Sequence, residues 1–200
     1  EMFLSQMVNG SLKSAGICLE FPEHYLAIQK DLPTAIIKEN TSWSCHHGIR
    51  RWQDECECSP GAIWKKPLRE CMNAIASNID HLCLEYMRPL GIDLDESRKS
   101  YVEVLLEETP FDSWLSNQTT QKLDEREQLI LAKLFKAQEF RLRMFVSCAW
   151  FFSEFDRIEP RNCIINAAYA VFLVENSMEI NFAQNYTKML STVIGEDHQP

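Results

Sequence analysis

The sequence lacks the features that mark several large classes of protein. No run of about 18 apolar residues occurs, so we expect no membrane-spanning segment. Lys and Arg total 20 against 29 Asp and Glu, which gives a net charge of −9 and argues against binding to nucleic acid. Only six glycines are present, and none forms a phosphate-binding glycine-rich loop. The G-x-S-x-G and H-E-x-x-H motifs of hydrolases and metalloproteases are also absent.

The remaining composition is that of a globular protein with free thiols. The 200 residues are 46% apolar and 24% charged, which predicts a folded core in one or two domains. Of the eight cysteines, Cys71, Cys83 and Cys163 sit among apolar residues at helical spacing, so we interpret them as buried free thiols. The first residues do not form a secretion signal, and we therefore expect a cytoplasmic location.

Apolar residues recur every three or four positions from Trp64 onward, which predicts helices. The first helix ends at Pro89 and Gly91, and the second runs from Asp95 to just before Pro110. A third and longest helix runs from near Thr120 through Phe152, a fourth begins at Pro160, and a last one covers 181–193. The sequence predicts a mainly α fold, a bundle of about five helices with an irregular Cys/His-bearing loop near the N-terminus.

That loop, residues 41–62, contains a candidate set of metal ligands. Cys45 and His47 lie two residues apart, as do Cys56 and Cys58, and together they form the pattern C-x-H-x₈-C-x-C. Three thiolates and an imidazole suit Zn²⁺ or an iron–sulfur cluster. The same spacing is compatible with reduced thiols in a packed loop or with a disulfide. His46 is the weaker histidine candidate.

Three tryptophans crowd around this loop and allow two interpretations. Trp43, Trp52 and Trp64 lie within 22 residues, with Arg51 among them. The rings could pack the loop onto the helices, or they could form a sugar-binding face. Cys148 is expected to be a buried thiol, with a role beside the Cys/His loop as the alternative. Glu159 and its acidic neighbours are expected to be solvated or capping groups rather than an acid/base pair.

Two blocks of this sequence resemble a bacterial domain of unknown function. The first is Thr41-Ser-Trp-Ser-Cys45-x-His47-Gly with Arg51-Trp52, Cys56-x-Cys58 and Trp64-x-x-Pro67-Leu68-Arg69-Glu70. The second is Met144-Phe-Val-Ser-Cys148-Ala-Trp150-Phe-Phe, followed by Ile158-Glu159. In glycoside hydrolase family 57-like proteins, the domain they resemble follows the catalytic barrel.

The resemblance implies an accessory helical domain of a carbohydrate-active protein. It implies that residues 1–40 are a trailing segment or connector from the barrel, that 41–195 are the helical C-terminal domain, and that this domain shapes or covers the barrel's active cleft. Its partners would be that barrel and a polysaccharide, and the chain would contain no catalytic residue of its own. The alternative is a metal-binding module, holding zinc or an iron–sulfur cluster, with no direct contact to sugar.

The resemblance also selects residues. It favours His47 over His46 and strengthens the case for a metal at Cys45, His47, Cys56 and Cys58. The substrate-facing candidates that it implies are Trp43, Arg51, Trp52, Trp64, Arg69, Trp150 and Glu159. The sequence departs from the family pattern at Glu57, where glycine is usual, and at Ser153-Glu154, where two aspartates are usual.

Overall fold

The computed structural model of the chain describes Gly10, residues 14–16 and residues 21–194. The expected connector therefore lies partly outside the described residues, as does the end of the expected domain at Gly195. Contacts divide the chain into two units, Glu1–Glu39 and Asn40–Pro200. Within the described part, no helix combines the length and the hydrophobicity needed to cross a membrane.

The described secondary structure is helical, and no strand occurs in residues 21–194. The α-helices in chain order are α1 Pro22–Ile28, α2 Lys65–Met87, α3 Leu94–Ser100, α4 Val102–Leu105, α5 Phe111–Ser116, α6 Glu125–Arg143, α7 Cys148–Phe151, α8 Ile158–Met178 and α9 Ala183–Ile194. Two 3-10 turns, Arg50–Trp52 and Arg88–Leu90, complete the set. The mainly α prediction is confirmed. The expected number of about five helices was too low, because short helices interrupt the long connections.

Four helices, α2, α6, α8 and α9, surround the core of the larger unit, and α6 and α8 share the most extensive contact. The periodicity that predicted α2 is real, because Leu68, Met72, Ile75 and Ile79 are at most 1% exposed. A capping box begins α6: the Asp124 side chain accepts a hydrogen bond from the Glu127 backbone, and the Glu127 side chain accepts one from the Asp124 backbone. Cys71, Cys83 and Cys163 are buried free thiols, as expected.

One carboxylate ties three helices together at the side of this core. Asp80 on α2 accepts hydrogen bonds from Arg98 on α3 at 3.2 Å and from Arg141 on α6 at 2.6 and 3.1 Å. Gln138, also on α6, donates to the same carboxylate at 3.1 Å. A single acidic side chain therefore sets the relative position of three helices.

The expected long helix through Phe152 is wrong, because α6 ends at Arg143 and α7 is a separate turn. Besides nearby backbone N–H groups, side chains from distant segments donate to the carbonyls at the break. Asn166 donates to the Arg143 carbonyl at 3.4 Å, and the Trp52 indole donates to the Ser147 carbonyl at 3.1 Å. Next to the break, Phe145 and Phe152 are half-buried, whereas Trp150 is 1% exposed.

Candidate metal centre

The Cys/His loop begins with a tight turn that fixes the first ligand pair. The Ser42 hydroxyl accepts a hydrogen bond from the Cys45 backbone at 3.1 Å and lies 2.9 Å from the Gly48 carbonyl, to which it donates. Gly48 has a φ of +74°, and a Cβ there would lie 2.5 Å from the Asn40 carbonyl oxygen. Glycine is therefore required where the chain turns back after His47.

The four predicted ligands converge. The ligating atoms of Cys45, His47, Cys56 and Cys58 all lie within 4.8 Å of one another. The Sγ atoms of Cys45 and Cys56 are 3.6 Å apart. His47 Nδ1 lies 3.2 Å from the Cys56 sulfur, 3.6 Å from that of Cys58 and 3.9 Å from that of Cys45. These four residues could hold a metal ion.

The two neighbouring histidines are not equivalent. His47 Nδ1 faces all three sulfur atoms, whereas His46 is exposed and its Nδ1 approaches only Cys58, at 3.7 Å. The second ring nitrogen of His47 lies 3.6 Å from the Glu57 carboxylate. A carboxylate behind a ligating histidine orients the ring and favours the tautomer that leaves the other nitrogen free to bind.

The electrostatics around the thiols are mixed. Burial raises the pKa of Cys45, but hydrogen bonds from the His47 backbone and from the side chains of Cys56, His47 and Cys58 lower it to about 7. Burial raises the pKa of Cys58, and the neighbouring Cys45 and Cys56 raise it further. Thiols this close cannot all ionise freely, because each thiolate repels the next. A bound cation removes that repulsion.

Two cationic side chains anchor the loop, one from α2 and one within the loop itself. Lys65 at the start of α2 is 0% exposed, and its Nζ donates to the Arg51 carbonyl at 2.8 Å and to the Ser59 hydroxyl at 3.1 Å. The Arg51 guanidinium donates to the Cys58 carbonyl. The Ser59 hydroxyl also meets the Ser153 hydroxyl at 2.8 Å, just beyond α7. The loop is thus anchored at both α2 and α7.

Some of the substrate-facing candidates form an exposed aromatic surface beside the metal ligands. Trp43 is 93% exposed and lies nearly parallel to Phe151, with ring centroids 6.4 Å apart. Half-buried Trp52 is 6.0 Å from the same ring, and the Arg51 guanidinium carbon lies 4.8 Å from its centroid. We call these four residues the aromatic surface. Phe151 was not among the predicted site residues.

The other candidates lie away from this surface. Trp64 and Trp150 are 7% and 1% exposed and stack on each other at 6.1 Å, so both indoles belong to the core. Arg69 packs its guanidinium over Trp150 at 4.9 Å. Glu159 accepts two hydrogen bonds from Arg157, at 3.0 and 3.1 Å, which lower the pKa of its carboxyl.

Two features near the loop differ from what the sequence suggested. Cys148, expected to be buried, is exposed at the start of α7 and outside the ligand cluster. Lys65 was not among the predicted site residues. Its spacing carried a signal, because it lies three residues before Leu68 on the buried stripe of α2. A lysine at such a buried position needs a partner for its charged group.

Comparison with known protein families assigns the chain to one of them. Residues 62–198 match the family described as "Domain of unknown function (DUF3536)". The chain belongs to this family. The match begins at Ala62, so the candidate ligands of this DUF3536 chain lie before the matched range. No curated protein and no solved structure shows significant similarity to it.

Proposed function

We propose that this chain is a helical module that carries a structural zinc centre in its Cys/His loop. The observation that supports the proposal is the convergence of three sulfur atoms and one imidazole nitrogen within 4.8 Å. Three thiolates and one imidazole complete a tetrahedral zinc site and leave no open position, which is typical of structural rather than catalytic zinc.

The distances favour a single tetrahedral ion. Bonds of about 2.3 Å to sulfur and 2.0–2.1 Å to nitrogen put two sulfurs about 3.8 Å apart and a sulfur–nitrogen pair about 3.5 Å apart. Four of the six edges are close to these values: the Cys45–Cys56 distance is 3.6 Å and the His47 distances are 3.2–3.9 Å. The two edges from Cys58 to the other sulfurs lie within 4.8 Å. An iron–sulfur cluster binds its ligands through separate iron atoms and needs a wider cage, so zinc is the better occupant.

The zinc would fix a segment that has little apolar core of its own. Four residues of the Cys/His loop are buried: Cys45, Cys56, Ser59 and Ala62. Two of these are ligands, so metal binding would supply the cohesion that hydrophobic burial gives elsewhere. Lys65 would connect the loop to α2, and the Arg51 guanidinium would hold two parts of the loop together through the Cys58 carbonyl.

The test is metal analysis with a matched pair of cysteine variants. The purified chain should contain about one zinc per molecule. Cys56→Ser should lose the metal and melt at a lower temperature. Cys148→Ser removes an exposed thiol outside the cluster and should keep both properties. A native protein that is fully stable without metal, or equal metal loss in both variants, would contradict the proposal.

We propose as a second candidate that the module serves a glycoside hydrolase family 57-like protein as an accessory domain. Its partners would be the preceding barrel and a polysaccharide, with the chemistry supplied by the barrel. The aromatic surface supports this candidate, because Trp43 presents an almost fully exposed ring beside Arg51. Aromatic faces stack on the apolar faces of sugar rings, while guanidinium groups donate to acceptors such as hydroxyl oxygens.

Binding to a soluble α-glucan, measured by affinity electrophoresis, tests this candidate. Trp43→Ala should reduce retardation of the chain by the glucan. Trp114→Phe offers a control, because that indole is only 1% exposed, lies in the core and is far in sequence from the loop. No retardation of the native chain would dismiss the accessory role at this surface without touching the zinc proposal.

A further inference from the structure

Lys65 carries an ammonium group that is wholly enclosed by protein. Its side chain is 0% exposed, and its two hydrogen-bond acceptors, the Arg51 carbonyl and the Ser59 hydroxyl, are both uncharged. Removing an ammonium group from water is costly unless an opposite charge lies nearby. The position of Lys65 therefore requires a source of negative charge.

Carboxylates do not supply that charge at close range. Among residues 21–194, no Asp or Glu oxygen forms an ion pair with Lys65 Nζ within the 4.0 Å limit of such pairs. The negative groups that act on it belong mainly to the ligand cluster. Burial and then the Arg51 charge lower the pKa of Lys65 to about 8, whereas the Cys56 and Cys45 thiolates, followed by Glu154, raise it.

The proposed zinc centre has the charge that Lys65 lacks. A divalent ion with three thiolates and a neutral imidazole carries one net negative charge. The lysine is connected to the centre by short paths. Ser59 directly follows Cys58, and Arg51, whose carbonyl accepts from Lys65, donates its own side-chain hydrogen bond to the Cys58 carbonyl.

We propose that Lys65 is the counter-charge of the metal centre and the link through which metal binding stabilises the start of α2. The inference rests on the zinc centre proposed above. Lys65 touches no ligand atom and is a positioning residue, which acts by making the negatively charged centre acceptable inside the protein. The zinc and the lysine stabilise each other. Zinc should bind more tightly when the lysine is present, and the lysine should stabilise the fold more when zinc is bound.

The first experiment measures zinc affinity in the 200-residue chain by competition with a coloured chelator. Lys65→Met, which keeps the length and loses the charge, should bind zinc at least about tenfold more weakly, the usual effect of losing a partner of the ligand shell. Lys66→Met alters the exposed neighbour on the same turn and should leave the affinity unchanged. Lys65→Gln keeps a hydrogen-bond donor without the charge and should weaken binding as Lys65→Met does.

The second experiment compares melting temperatures with zinc and without it. With zinc, Lys65→Met should melt lower than the native chain. Without zinc, the same substitution should lower the melting temperature less, or not at all, because thiols this close cannot all ionise and so offer the lysine less negative charge. A lysine that served only through its hydrogen bonds would produce an equally destabilising substitution in both forms.

The outcomes separate the two proposals. A native chain that binds zinc, with Lys65→Met and Lys65→Gln binding it equally well, would overturn the role of Lys65 and leave the zinc centre standing. Equal destabilisation of Lys65→Met with and without zinc would do the same. A native chain that binds no zinc would remove the centre and the role of Lys65 together. If Lys65→Met fails to fold in both forms, the affinity of Lys65→Gln decides.

Discussion

The helical bundle and the Cys/His loop enclose very different amounts of apolar surface. In the bundle, successive turns of α2 place fully buried side chains such as Leu68 and Ile79 against α6 and α8. In the loop, one of the two tryptophans, Trp43, is 93% exposed, and half of the buried residues are thiols. Apolar packing therefore orders the bundle, whereas a few polar anchors and, in the proposed zinc-bound form, ligand geometry order the loop.

The largest effect should come from emptying the core. Phe135 is 0% exposed and meets Trp114 edge-on at 4.7 Å. We expect Phe135→Ala to lower the free energy of unfolding by about 3–5 kcal/mol, as for other large aromatic core residues. Urea unfolding followed by circular dichroism measures this. Zinc content should stay unchanged, and Phe172→Ala, at a 54% exposed position, should lower stability far less.

The next effect concerns the polar contact that joins three helices. Asp80→Asn keeps the shape and removes the charge that Arg98 and Arg141 share. We expect a loss of about 1.5–3 kcal/mol in the free energy of unfolding, because hydrogen bonds between charged groups are the stronger ones. The exposed pair Lys99–Glu96 gives the control, since Glu96→Gln should cost less than about 0.5 kcal/mol. Similar losses in the two variants would show that the Asp80 contact has no special role.

A smaller effect, confined to the loop, should distinguish its two histidines. His47→Asn removes the nitrogen that faces three sulfurs and should weaken zinc binding at least tenfold, or about 1.4 kcal/mol. His46→Asn should change the affinity less than about threefold, because His46 approaches only Cys58. Chelator competition measures both. The bundle should stay folded in each variant, and the reverse order of the two effects would assign the ligand to His46.

The smallest effect should come from the most exposed residue. Trp43→Ala should change the free energy of unfolding by less than about 0.5 kcal/mol, because the exposed ring buries little surface against the rest of the protein. Chemical denaturation measures this. A loss of more than about 1.5 kcal/mol would mean that the loop has an apolar core after all and would weaken the contrast with the bundle.

Local sequence pattern was sufficient for much of the bundle. The spacing of apolar residues gave α2, α8 and the body of α6, because one buried stripe on a helix produces that spacing directly. The start of α6 is Glu125 rather than the expected position near Thr120. The break between α6 and α7 could not be foreseen in the same way. Neither proline nor glycine lies between Arg143 and Cys148, and the carbonyls of Arg143 and Ser147, which accept from nearby backbone N–H groups, also accept from Asn166 and Trp52, which are remote in the chain.

In the candidate site, chemistry was predictable and surroundings were not. Cysteine and histidine at short spacings can be recognised as ligands from sequence alone, and the four chosen residues do converge. The burial of Trp64 and Trp150 depends on how α2 meets α7, which no local pattern records. Phe151 was not predicted as part of the aromatic surface for the same reason, because its neighbours there come from a distant segment. Lys65 gained meaning only when the loop was seen to cover it.

The anchors of the Cys/His loop also bear on the order of events during synthesis. Trp52 bonds a residue 95 positions later, Ser59 meets one 94 positions later, and the Trp64 indole donates to the Ser153 carbonyl 89 positions later. A ribosome adds about 5–20 residues each second, so these partners follow the loop by several seconds. The loop therefore gains these three anchors only after the α7 region has been synthesised. During that interval its three thiols are within reach of any oxidant or metal in their surroundings.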